Sequence, residues 1–208
     1  MTARAAPESQ LVIASANPGK LAELRALLAG CGLRLRGLAD FPGVALPEEG
    51  FDYAANAAAK AGAVAAALGF PALADDSGLE VEGLSGAPGP GSARYGGPGL
   101  PDAARAAHLL RALRGLEGAA RRARFVCVAA LATPGGRLLL ARGECLGRIL
   151  AEPRGSGGFG YDPVFALAGD GRALAELSAA EKNRLSHRAH AVRALCRAAR
   201  QPLSAIRS

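Results

Sequence analysis

The sequence predicts an α/β fold with a mixed β-sheet, built as one elongated domain with two lobes. Three observations carry this. Apolar strand-like runs alternate with helical patterns at both ends of the chain, as in a parallel sheet covered by helices. The later half holds two long strand patterns joined by a hairpin turn, which adds antiparallel pairing. No internal repeat or linker-like stretch divides the 208 residues, a length that suits one or two domains.

Residues 11–15, LVIAS, form a short apolar run bounded by ANPG, the pattern of a buried parallel strand. Residues 18–29 place Leu at 21, 24, 27 and 28, a helical stripe, with Pro18 suited to its first turn and Gly30 to its end. Residues 33–38 alternate Leu with Arg or Gly and predict a second strand. Residues 52–68 are Ala-rich and stop at Gly69, which predicts a helix. PALADDSGLEVEGL predicts strand, tight acidic turn, strand. Residues 83–101 are too rich in Gly and Pro for a regular element and predict a long loop, of the kind that is functional or mobile. A helix is expected over 102–114. RARFVCVAAL and GRLLLARGEC are strands joined at TPGG. GSGGFGYD is a Gly-rich loop and PVFALA a short strand. Ser178 and Glu181 have capping-box spacing before a helix, and a last basic helix runs from about Ser186 to Ala199.

Half the residues are hydrophobic, which excludes a disordered chain. No apolar run reaches the ~18 residues of a membrane helix, and no secretory signal is evident, so a cytoplasmic location is expected. Cys31, Cys127, Cys145 and Cys196 lie far apart with no CxxC pair. They read as reduced, small buried hydrophobes rather than a zinc site. The net charge of +7 permits a polyanionic or phosphorylated partner. It comes, however, from a bias toward Arg: the three lysines are Lys20, Lys60 and Lys182. In such a chain a surviving Lys marks a place for a compact ammonium. Each lies within four residues of an Asn (Asn17, Asn56, Asn183), which suggests a phosphate site.

Five segments could carry chemistry. Ser15, Ala16, Asn17, Pro18, Gly19 and Lys20 form a strand-to-helix junction. There a helix N-terminus, polar side chains and a mobile cation can hold a triphosphate; the Walker pattern is absent. Glu48 and Glu49 precede a helix on which Asn56 and Lys60 share a face, and could hold a divalent metal. Asp75 and Asp76 end a strand, so alternation turns one of them toward a given cleft. A carboxylate there can ligate Mg²⁺ and take a proton from water. Gly155 to Asp162 lets backbone approach a ligand, and Phe159 and Tyr161 offer flat surfaces for a base. Lys182, His187 and Arg188 can bond a base or a phosphate. Each segment also has a plain structural reading as a turn or a solvated helix face.

Taken in order, SANPGK, LPE with NAAAKA, ADDSGL with SARYGG, GGFGYDPVF and EKNRLSHR resemble the inosine triphosphate pyrophosphatase family, hydrolases of non-standard purine triphosphates. The resemblance runs from about residue 11 to 195. It implies an elongated two-lobed fold with a cleft between the lobes, a single catalytic domain over 1–208, and a homodimer. It implies hydrolysis of ITP, dITP or XTP to the monophosphate and pyrophosphate with Mg²⁺. Glu48 and Asp76 would hold the metal, and Asp76 would accept the proton. Residues 15–20 with Lys60 would hold the phosphates. Ser77, Phe159, Gly160, Tyr161, Asp162, Lys182, His187 and Arg188 would contact the nucleotide. Two departures stand out: Ser15-Ala16 where Thr-Gly is common, and Ala55 where Glu is common, with Glu49 or Asp52 as possible substitutes. The alternatives are a Maf-like pyrophosphatase of dTTP or UTP and a non-catalytic nucleic-acid-binding protein. EKNRLSHR and GGFGYDPVF disfavour the first. The second gives DDSG no role, and its 4% aromatic content is poor for stacking on single strands. No nucleic acid or membrane partner is therefore expected.

Overall fold

A computed structural model describes residues 10–200. Strands β1 (Gln10–Ile13), β2 (Arg34–Gly37) and β3 (Ala72–Val81) pair in parallel, with β1 in the middle. A two-residue strand β4 (Pro88–Gly89) lies antiparallel to the far end of β3. The long strands β5 (Arg122–Ala132) and β6 (Leu138–Ile149), then the short β7 (Phe165–Leu167), extend the sheet antiparallel. The order is β2-β1-β3-β5-β6-β7, the mixed sheet that alternation plus a hairpin predicts.

The described residues form five helices, most of them bounded by local chemistry. In α1 (Pro18–Leu27), Pro18 sits at the start and the Asn17 side chain accepts from the Lys20 N–H. In α2 (Tyr53–Leu68), Asp52 caps the N-terminus and Gly69 ends the helix in the left-handed conformation. Helix α3 (Asp102–Ala112) follows the long loop. Helix α4 (Ala179–Leu185) opens on the Ser178–Glu181 capping box that the spacing predicts. Helix α5 (His187–Arg200) follows directly, with Ser186 Oγ accepting from the Ala189 N–H.

Three apolar clusters place the site. One face of the sheet buries α2 over Ala72, Ala74, Val126 and Val128. The opposite face buries α1 and α5 over Ile13, Leu73, Cys127 and Ala129. The third cluster lies around the other half of the long strands, where Leu79, Val81 and Phe125 meet Leu109, Leu113, Phe165 and Leu174. Strands β3, β5 and β6 thus run through two packed regions, and a cleft opens where those regions meet.

Two expectations are corrected here. The acidic turn predicted inside PALADDSGLEVEGL does not exist. Residues 72–81 are one strand, paired with β5 from Ala72↔Ala132 to Val81↔Ala123. Asp-Ser-Gly is a turn signal in isolation. Here Gly78 serves close approach instead: a Cβ on it would collide with the Gly89 carbonyl and meet the Tyr53 hydroxyl at 2.7 Å. Cys127 and Cys145 are buried as expected, but Cys31 is exposed and Cys196 only half-buried.

Candidate active site

The site begins at a gap in the sheet edge. β1 pairs with β3 only as far as Ile13↔Leu73, and β4 takes up the same edge at Leu79. Between them Asp75, Asp76, Ser77 and Gly78 have β5 on one side and, among the described residues, no strand on the other. The chain leaving β1 passes this gap as Ser15–Lys20. Ser15 is buried and its Oγ accepts from the Asn17 N–H at 3.3 Å. Ala16 needs no left-handed backbone, because Ser85 is the one non-glycine with positive φ among the described residues. The Ala-for-Gly departure therefore carries no strain.

Strand alternation sends the two aspartates to opposite faces. Asp75 points to the α1–α5 face, where Oδ2 lies 3.3 Å from Lys20 Nζ and accepts from Arg188 Nε at 3.1 Å. Burial works against its charge, but Lys20, Arg188 and Lys60 outweigh that and hold its carboxyl far below the usual range. Asp76 points to the α2 face. Its carboxylate accepts from Asn56 Nδ2 at 2.8 Å and lies 3.5 Å from Lys60 Nζ. Here burial wins over Lys60 and Asn56, and the Asp76 pKa is raised. Lys60 also holds Glu49 at 2.5 Å. Burial opposes the charge of Lys60, but Glu49, Asp76 and Asp75 more than offset it and its pKa is raised.

The other wall comes from the C-terminal half. The Gly-rich loop places Phe159 against α1: a Cβ on Gly19 would lie 2.5 Å from its ring. Gly158 has φ +73° and its missing Cβ leaves room for the Asp162 carboxylate. That carboxylate accepts from the Phe159 N–H at 2.7 Å and pairs with Lys182. Lys182 Nζ stands 4.6 Å, and the Arg188 guanidinium 5.7 Å, from the Phe159 ring centre. His187 stacks on Phe125 with centroids 4.7 Å apart and planes 10° from parallel. Burial first, then Arg188 and Lys182, depress its pKa well below 6.5, so the ring is neutral near pH 7. Among the described residues its buried Nδ1 has no hydrogen-bond partner. Arg188 Nη2 donates to Ser77 Oγ at 3.0 Å. Arg188 is 1% exposed, the largest side chain in the fully buried set. A buried cation of this size is costly unless it is paired and hydrogen-bonded.

The structure thus gathers Asn17, Lys20, Ser77, Phe159–Asp162, Lys182, His187 and Arg188 around one cleft of about 100 Å³, with Lys60 and Asp76 across β3. All three lysines lie in this assembly. Three expected residues are placed otherwise than expected. Glu48 is exposed and makes no side-chain bond among the described residues. Tyr161 lines the cleft but is buried in the third cluster, its hydroxyl donating to the Ser92 carbonyl at 2.9 Å, so Phe159 is the more accessible ring. Asp52, a candidate substitute for the missing Glu, caps α2 instead. Two contributors escaped the sequence reading. Glu23, on α1, pairs with Lys182 at 2.6 Å and also with Arg188. Its spacing from Lys20 in PGKLAE put it near the site, but nothing in that helix turn separated it from a solvent carboxylate. Arg94, in SARYGG, reaches Glu49 at 3.5 Å. The loop over 83–101 is pinned: Ser92 Oγ accepts from the Leu79 N–H at 2.8 Å and donates to the Gly89 carbonyl at 2.6 Å.

A larger groove of about 880 Å³ lies at the far ends of β3, β5 and β6. None of the motif residues lines it, and its Arg122 and Arg124 are paired with Glu82 and Glu80.

The Ham1 family model matches residues 11–198. The chain belongs to the Ham1 family. It is 51% identical over 187 residues to a dITP/XTP pyrophosphatase of Deinococcus deserti, covering 89% of this chain and 87% of the relative. It is 50% identical over 189 residues to a dITP/XTP pyrophosphatase of Thermus thermophilus, covering 91% of each. A Ham1 protein structure from Coxiella burnetii superposes with a TM-score of 0.82 at 40% identity, covering 92% of this chain and 98% of that one. A nucleoside-triphosphatase, dITP/XTP pyrophosphatase, of Mycobacterium abscessus superposes at 0.72 with 41% identity, covering 92% and 100%. Ham1 membership accounts for the order of the five motifs and for the mixed sheet that joins them.

Proposed function

We propose that this Ham1 protein is a single-domain pyrophosphatase of non-standard purine nucleoside triphosphates. It would convert dITP, XTP or ITP to the monophosphate and pyrophosphate by attack of water at the α-phosphorus. The observation that carries the reading is the pair of adjacent carboxylates on opposite faces of β3 at an open sheet edge, each held by a lysine. The names of the relatives above support the substrate class.

Asp76 is suited to accept the proton of the attacking water. It is buried, its pKa is raised by that burial, and Asn56 fixes its orientation at 2.8 Å. Lys20 and Lys60 offset charge on the triphosphate, and the Ser15–Lys20 turn sets its path into the cleft. The residues fit Mg²⁺ by their donor chemistry: Asp76 offers hard carboxylate oxygen with one neutral and one cationic neighbour, and Glu48 is an exposed carboxylate with no side-chain partner among the described residues. The described residues hold no group of three acidic, His or Cys side chains gathered for a metal. Asp76 and Glu48 would hold the ion, and its chemistry there is neutralisation of phosphate charge and activation of water.

Base choice belongs to the other wall. Phe159 provides the stacking face, and neutral His187, Lys182 and Arg188 offer hydrogen bonds toward a 6-oxo purine. A site arranged for one hydrogen-bond pattern rejects the wrong base by leaving its own buried groups unpaired. The same reading carries a homodimer and a cytoplasmic location, where a nucleotide pool would be the substrate. No helix among the described residues is long and apolar enough to cross a membrane. The test is pyrophosphate release with Mg²⁺ from dITP, XTP, ITP, GTP, ATP, dTTP and UTP. Preference for the first three supports the reading; preference for dTTP or UTP overturns it.

A further inference from the structure

Five cations of the site, Lys20, Lys60, Arg94, Lys182 and Arg188, are each paired with a carboxylate. Lys20 holds Asp75, Lys60 holds Asp76 and Glu49, Arg94 holds Glu49, and Lys182 and Arg188 share Glu23 while also holding Asp162 and Asp75. A triphosphate brings about four negative charges into this cluster, so some carboxylate must yield its cation. The five are not equally free to do so. The Asp75, Asp76 and Asp162 side chains are 0%, 3% and 4% exposed, and Glu23 is 13% exposed between two cations. Glu49 is 27% exposed and sits on the loop before α2, not on a strand or helix.

The contacts of Glu49 resemble those of a phosphate. One oxygen takes Lys60 Nζ at 2.5 Å, the other lies 3.5 Å from Arg94 Nη1, and its backbone carbonyl accepts from Arg94 Nη2 at 3.4 Å. The two cations come from separate elements, α2 and the Ser92–Arg94 turn of the long loop. The carboxylate is the tie between them.

We infer that Glu49 is an internal anion holding the Lys60–Arg94 seat, which the terminal phosphates of the substrate, and afterwards the pyrophosphate product, take over by displacing it. Arg94 is then a phosphate-binding residue in its own right. Glu49 lowers the apparent affinity for polyphosphate by the fraction of time it occupies the seat, and it speeds release of pyrophosphate. The inference rests on the pyrophosphatase reading for its substrate, but the seat itself can be tested with inorganic pyrophosphate alone.

The experiment compares the wild type with Glu49→Gln and Arg94→Met. Calorimetric titration with inorganic pyrophosphate and Mg²⁺ is run beside dITP kinetics. Glu49→Gln, near-isosteric and checked by its melting curve, should bind pyrophosphate more tightly by about five-fold, the factor that a partly exposed ion pair is worth. KM for dITP should fall by a similar factor, with product inhibition at lower pyrophosphate. Arg94→Met should weaken pyrophosphate binding. Unchanged or weaker pyrophosphate binding by Glu49→Gln overturns the inference. A higher Mg²⁺ requirement in that variant also overturns it, since Glu49 would then be holding the metal. If no triphosphate is turned over, the pyrophosphatase reading fails, and the pyrophosphate titration still decides the seat.

Discussion

The two faces of β3 handle the same residue type in opposite ways. On the α1–α5 face, Asp75 is locked between Lys20 and Arg188, fully buried and held ionised. On the α2 face, Asp76 keeps a neutral amide and a more distant lysine, and burial raises its pKa. Neighbours in sequence thus differ because the pleat gives each a different set of cations. In the proposed function, Asp75 would organise the substrate wall and Asp76, with its raised pKa, would take the proton.

That division predicts a large asymmetry in turnover. Asp76→Asn should lower kcat for dITP by about 10³-fold, within the usual worth of a general base, with the fold intact. Pyrophosphate release by a correctly melting variant measures it, and near-normal turnover would remove Asp76 from the role. A smaller effect is expected where the substrate wall meets α1. In Gly19→Ala the new Cβ displaces the Phe159 ring from its 2.5 Å approach. KM should rise by about ten-fold with little change in kcat, since base stacking of this kind is worth ~1–3 kcal/mol. An unchanged KM would place the base elsewhere.

A smaller effect still is expected with pH. His187 is buried and neutral, with a pKa below its unfolded value of 6.5. Below about pH 6.5 the unfolded chain binds a proton that the native ring refuses. Stability is therefore full above 6.5 and falls with pH by up to about 1.4 kcal/mol per unit. His187→Gln should flatten that part of the pH–stability curve between 6.5 and 5. Parallel wild-type and variant curves would show that the ring takes up its proton in the fold as readily as in the unfolded chain.

The legible part of this molecule was the part governed by local rules. Pro18, Gly69 and the Ser178–Glu181 box mark helix ends wherever they stand, and each helix formed where its caps said. The three lysines were legible because the Arg bias made them exceptions. The errors arose where a distant partner decides. Asp-Ser-Gly became strand because β5 pairs along it and Gly89 needs the space above Gly78. Glu23 was invisible because its partners, Lys182 and Arg188, lie more than 150 residues away. Glu48 and Glu49 are adjacent in an irregular loop, and no period assigns one of them to Lys60.

Paired urea unfolding of Asp75→Asn and Asp76→Asn at pH 7 tests the two-face account most directly. Asp75→Asn takes one of two carboxylate partners from the buried Arg188, leaving Glu23, and also unpairs Lys20; it should cost up to about 3–5 kcal/mol, moving the midpoint down. Burial raises the native Asp76 pKa, so at neutral pH its carboxylate is better accommodated in the unfolded chain than in the fold, and Asp76→Asn relieves that penalty and should move the midpoint up. Midpoints that shift in opposite directions are the predicted result. Midpoints that fall together would show that both carboxylates serve the fold alike, and would contradict the account.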